Sequence, residues 1–200
     1  MDKRKLSNML LILTALIWGS AFVAQSIGME YIGPFTFGAV RSILGGLTLL
    51  PVIFFRKKKS QANKEKAEPD EKKEKNEQRK TLLAGGICCG ICLTIGSMAQ
   101  QIGLQYTTAG KGGFITALYI LIVPLLGLAF GRKAGKKVWC GVILAVVGMY
   151  FLCVKDGFSI SKGDWIILAG SFAFAGHILV IDYFSPKVDG VCLSCLQFFF

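Results

Sequence analysis

Arg41 stands in "TFGAVRSILGGLT", Lys111 in "TTAGKGGFITALYI" and His177 in "FAFAGHILVID", each flanked on both sides by apolar or small residues. Gln25, seven residues after Trp18, and the trio Gln100, Gln101 and Gln105 interrupt two further apolar runs, and Thr116 and Tyr119 add hydroxyls to the run after Lys111. This set can recognise a ligand. Guanidinium and ammonium groups attract anions, while amides and hydroxyls form hydrogen bonds of either sense. It is poorly suited to catalysis, because there is no HExxH, no second histidine and no carboxylate pair inside an apolar run. "CLSC" at 192–195 has metal-like spacing but lacks a second Cys/His pair, so neither a metal nor a cofactor is expected.

The elements that carry these residues are membrane helices. Of 200 residues 53% are hydrophobic and 18% charged, with the charges gathered into a few places. A bilayer core of about 30 Å takes roughly 20 apolar residues per helix. Such runs fall at about 7–27, 33–55, 81–103, 109–131, 138–154 and 164–184, and a seventh begins near Gly190. The chain stops at Phe200 with no polar cap on that last run, which predicts continuation in a longer protein. "MDKRK" before the first run resembles the start of a secretory signal, but the run is too long and no small-residue cleavage site follows.

Lys and Arg in the connections number 19 on the side of the N-terminus and three, Lys111, Lys155 and Lys162, on the other. That asymmetry predicts a cytoplasmic N-terminus in the cell membrane, and it explains the net charge of +11 without a nucleic-acid partner. The segment 56–80 is rich in both signs of charge and free of aromatics, so it reads as a solvated loop; Lys57 to Lys59 could meet anionic lipid headgroups. The seven cysteines all fall in apolar runs and read as small packing residues, as do Gly85, Gly86, Gly90, Gly141, Ala145 and Gly148.

Shifting the chain by 156 residues lays "SNMLLILTALIWGSAFV" (7–23) over "GDWIILAGSFAFAGHIL" (163–179) and Arg41 over Gln197. Five spans separate the copies, so the second must be inverted, an arrangement found in secondary transporters with a site near midplane. "LIWGSAFVAQSIGMEYIGPFTFGAVR" (16–41), "QQIGLQYTTAGKGGFITALYILIVPLLG" (100–127), "WCGVILAVVGMYFL" (139–152) and "GDWIILAGSFAFAGHILVID" (163–182) resemble the EamA-type members of the drug/metabolite transporter superfamily. The resemblance implies an all-α polytopic membrane protein of ten helices in two inverted five-helix repeats. On that basis residues 1–154 are the first repeat and 155–200 the start of the second. It also implies a permease that exports or takes up a small metabolite or drug-like molecule; the partners expected beside the substrate are the lipid bilayer, a coupling proton or ion, and a second copy in a homodimer. The alternatives are a non-transporting membrane subunit and an intramembrane enzyme.

Within that frame the expected substrate-binding residues are Trp18, Gln25, Arg41, Gln101, Lys111, Thr116, Tyr119 and His177. Trp18 and Gln25 share a helix face, and Arg41 either lines the cavity, snorkels or pairs with Glu30. Gln101 or Gln105 points inward with Thr94, and Pro124 bends the fourth span. Lys111 falls in the first turn of a helix capped by Thr107 or Thr108, where a cation is disfavoured by the helix dipole. It therefore either reaches outer water, meets the anionic part of the substrate, or meets a carboxylate such as Glu30.

Overall fold

The computed structural model describes residues 3–61, 69–129, 131, 135–155 and 159–200, with side chains described from Arg4 onward apart from 57–61, 69–75, 149 and 152–155. The described residues form eight helices and no strand: α1 (Lys3–Tyr31), α2 (Pro34–Gln61), α3 (Pro69–Leu104), α4 (Ala109–Ala117), α5 (Tyr119–Ala129), α6 (Lys136–Lys155), α7 (Lys162–Phe184) and α8 (Gly190–Leu196). Five spans among them, Arg4–Tyr31, Pro34–Arg56, Asn76–Leu104, Ala109–Ala129 and Lys162–Phe184, are long and apolar enough to cross a membrane. The all-α polytopic expectation holds. α6 covers the expected run 138–154.

α3 and α7 pack against each other most extensively, with α4 and α5 on α7, α8 lodged between α2 and α3, and α1 against α4 and α2. Two glycines set the closest approach of the central pair. A Cβ on Gly163 would run into the carbonyl oxygen of Gly103, and one on Gly103 into the Ile167 side chain. Leu104, Ile115 and Ile167 form the core beside this crossing, flanked by Phe22, Met29, Leu118 and Leu168. Elsewhere leucine and isoleucine face outward, as on α1 from Leu6 to Ile17. In lipid this exposure carries no penalty, because hydrocarbon is as apolar as the side chains themselves.

Three expectations are corrected. The segment 56–80 is not loop throughout: α2 runs on to Gln61 and α3 begins at Pro69, while 62–68 lie outside the described residues. Its Glu, Lys, Gln and Arg residues are good helix formers, and extending an existing membrane helix avoids the cost of nucleation; Lys80 and Glu77 pair at 2.8 Å one turn apart. The expected contact of Lys57 to Lys59 with lipid concerns side chains outside those described. Secondly, the fourth span is interrupted at Leu118, where α4 ends and α5 begins, and Pro124 sits inside α5. The break lies just before Ile120, whose carbonyl the proline cannot satisfy. Thirdly, Gly85, Gly86 and Gly90 do meet Phe184, Leu196 and Phe200, and Gly148 meets Phe114, but nothing among the described residues lies within 4 Å of the space above Gly141.

Candidate functional site

Two polar clusters lie among these apolar helices, with Gln25, Gln101, Lys111 and Asp164 buried and Arg41 half-buried. The first joins α1, α2 and α3. Arg41 Nη1 donates to Gln25 Oε1 at 2.8 Å, and Gln101 Nε2 donates to the same oxygen at 2.6 Å. Since a guanidinium can only donate, Gln25 must present its carbonyl, and that carbonyl in turn obliges Gln101 to present its amide nitrogen. Gln101 Oε1 is then turned away and has no hydrogen-bond partner among the described residues, although Gln101 is 0% exposed. A buried acceptor left in this state costs about 1–3 kcal/mol. Gln100 Nε2 donates to Thr116 Oγ1 at 3.1 Å on the neighbouring face, and Thr116 Oγ1 donates back to the Gly112 carbonyl at 2.8 Å.

The second cluster ties the start of α4 to the start of α7. Thr108 caps α4, its Oγ1 accepting from Lys111 N at 3.3 Å, so the chain enters the helix with Lys111 in the first turn. Ser161 caps α7 in a reciprocal box: its Oγ accepts from Asp164 N at 3.2 Å, and Asp164 Oδ2 accepts from Ser161 N at 2.8 Å. Lys111 Nζ lies 2.8 Å from Asp164 Oδ2, with side chains only 6% and 5% exposed, and donates to the Ser159 carbonyl at 2.6 Å. Thr107 Oγ1 donates to Asp164 Oδ1 at 2.7 Å. Both carboxylate oxygens are therefore engaged.

The outcome for Lys111 differs from the alternatives that the sequence left open. It does not reach open water, and the carboxylate it meets is Asp164, not Glu30, which is exposed. Asp164 also meets the helix dipole favourably at the α7 N-terminus, which offsets the unfavourable end that Lys111 occupies on α4. Sequence reasoning missed Asp164, Ser159 and Ser161, and it took Thr107 as a candidate cap of α4, where the cap is Thr108 and Thr107 bonds Asp164 instead. The pattern Ser-x-x-Asp ahead of an apolar run was the available signal.

The remaining expected site residues lie apart from both clusters. His177 Nε2 is 2.8 Å from Gln197 Oε1, joining α7 to the turn after α8. Tyr119 is half-buried with its ring centroid 6.3 Å from that of Phe174. Trp18 is 56% exposed on the half of α1 that no described element covers. Gln105 and Thr94 are exposed, so Gln101 alone of that face turns inward. An open cleft of about 550 Å³ lies elsewhere, between Leu49 and Arg56 of α2 and Asp189 to Ser194. No group of metal-binding side chains occurs among the described residues.

Three proteins of known sequence resemble this chain over most of its length. An uncharacterized transporter of Archaeoglobus fulgidus is 32% identical over 198 residues, 98% of this chain and 56% of its own length. The uncharacterized inner membrane transporter YedA of Escherichia coli K12 is 25% identical over 80% of this chain and 48% of its own. The uncharacterized transporter YoaV of Bacillus subtilis is 22% identical over 82% and 53%. The chain thus spans about half the length of these curated relatives, and no solved structure matches it significantly. Residues 5–154 match the EamA-like transporter family, so the chain belongs to that family.

Proposed function

We propose that the whole protein is a secondary transporter that moves a small metabolite or drug-like molecule across the cytoplasmic membrane by alternating access. Residues 1–154 supply its first five-helix repeat and 155–200 open the second, inverted one. The observation that carries this proposal is the buried cluster of Gln25, Arg41 and Gln101 from three different membrane helices, with a cation and an unmatched acceptor at its centre. Charged and polar groups at membrane depth are expensive and mark pathways for ions or substrates. The N-terminus lies in the cytoplasm on the charge asymmetry of the connections.

The inverted repeat has support in a polar contact within each half, although the partners of Arg41 and Gln197 sit one helical turn out of register under the same shift. Arg41 on α2 holds Gln25 on α1, and Gln197, which the 156-residue shift lays over Arg41, holds His177 on α7. The Lys111–Asp164 pair links the two repeats, and Thr116 on α4, bonded to Gln100, extends the wall of the path. Metabolite profiles of cells with and without the intact gene test this function. One class of small molecule should accumulate on one side of the membrane when the gene is lost, and indistinguishable profiles across growth conditions would contradict it.

A further inference from the structure

The buried polar side chains of the described residues fall into matched and unmatched groups. Asp164 has donors on both oxygens, and His177 and Gln197 satisfy each other. Only the first cluster contains a side-chain atom that is buried and lacks a partner among the described residues, Gln101 Oε1. Its orientation is fixed while Gln25 is in place. Turning the Gln101 amide over would set its oxygen against Gln25 Oε1, which Arg41 holds in place. Beside it, the Arg41 guanidinium has five donors, of which Gln25 engages one, and no carboxylate pairs with it among the described residues. The cation and the orphan acceptor hang on a single glutamine oxygen, and so lie within the span of one small molecule.

We propose that Arg41 and Gln101 form a two-point subsite for a compound bearing an oxyanion, carboxylate or phosphate, and an O–H or N–H donor a few atoms away. This rests on the transporter function proposed above. The oxyanion meets the free donors of Arg41, a pairing that planar guanidinium geometry favours, and the donor meets Gln101 Oε1. Gln25 is the stand-in. It supplies Arg41 with an acceptor in the unliganded state, and it is carried by α1, whose apolar span is the least buried of the candidate spans. Moving α1 withdraws Gln25, which frees the Arg41 Nη1 donor and releases the Gln101 amide, so that Oε1 can turn into the space beside Arg41 that Gln25 leaves.

Two matched pairs of probes test this on the purified 200-residue chain in lipid nanodiscs: lactate against propionate, and 2-hydroxyethyl phosphate against ethyl phosphate. Titration should show the hydroxylated member of at least one pair binding about tenfold tighter, the equivalent of one additional good hydrogen bond; which pair responds separates carboxylate from phosphate. Gln101→Met should abolish that preference while leaving the weaker member's affinity in place, and Arg41→Gln should lower the affinity of both members. Helix content and monodispersity establish that each variant is folded, and Gln101→Ser replaces Gln101→Met if the latter is not. Equal affinities within both pairs, no saturable binding of any probe, or a preference that survives loss of Gln101 would each overturn the proposal. So would a water that occupies Gln101 Oε1 and stays when probe is bound. Probe binding without any metabolite phenotype would sink the transport function and keep this subsite; a metabolite phenotype with flat titrations would do the reverse.

Discussion

The two buried clusters of this molecule use similar residues to opposite ends. Around Lys111 and Asp164 every carboxylate oxygen has a donor, the cation has both a carboxylate and a carbonyl, and two helix starts are capped in the same network. Around Arg41 the cation has one amide oxygen and Gln101 Oε1 has nothing among the described residues. A fully matched ion pair in an apolar setting behaves as a strut, since any movement exposes charges that nothing else there can solvate. An incompletely matched cluster retains free energy that a ligand can recover. What separates the two clusters is the unmet hydrogen bond beside Arg41, on which the proposed subsite rests.

The largest expected effect breaks the strut. Asp164→Leu takes from Lys111 its carboxylate, from Thr107 its acceptor and from the α7 capping box its carboxylate half, so it should destabilise the chain by about 3–5 kcal/mol. Thermal unfolding in nanodiscs checks it, and Lys111→Met combined with Asp164→Leu should recover much of the loss. If the double variant is no better than the single, the pair is not the reason for the cost.

Gln25→Leu should come next. It leaves Arg41 Nη1 and Gln101 Nε2 without their shared acceptor, a cost of about 1–3 kcal/mol per stranded donor. Gly163→Ala tests the crossing that sets Asp164 beside α4, because the new methyl meets backbone, not a flexible side chain. A loss of about 1–3 kcal/mol is expected, whereas Gly141→Ala, in open space within α6, should be neutral or gain up to about 1 kcal/mol. Equal effects at the two glycines would mean that close approach of α3 and α7 is not what Gly163 provides.

Much of this was legible beforehand, and the limits have physical causes. Hydropathy gave the spans because a helix in lipid must satisfy its own backbone. Gln25, Arg41, Gln101 and Lys111 each stood out as polar residues in apolar runs. Their meeting did not, since Gln25 and Gln101 are 76 residues apart and contact depends on the rotation of three helices about their axes. Trp18 shows the limit of face arguments: seven residues from Gln25 it shares the face but lies about 10 Å along the axis, beyond the part of α1 that its neighbours cover. Asp164 is only the first residue of the run 164–184 in the sequence, and a capping residue at a helix start can equally well point sideways into a neighbour.

The most direct test sets one member of each cluster side by side. Thr107→Val removes a donor to Asp164 Oδ1 and leaves the other cluster alone; Gln101→Met removes the orphan acceptor and leaves the strut alone. The unfolding midpoint and the preference for a hydroxylated over a plain oxyanion are measured on both. The expected result is a crossing. Thr107→Val loses about 1.5–3 kcal/mol, several degrees at about 2–4 °C per kcal/mol for a chain of this size, and keeps the preference. Gln101→Met keeps the midpoint within about 1 kcal/mol, because the hydrogen bond it loses is offset by the unmatched acceptor it removes, and loses the preference. A Gln101→Met chain that unfolds early and still discriminates, or a Thr107→Val chain that is stable and does not, would contradict the division of the two clusters into strut and site.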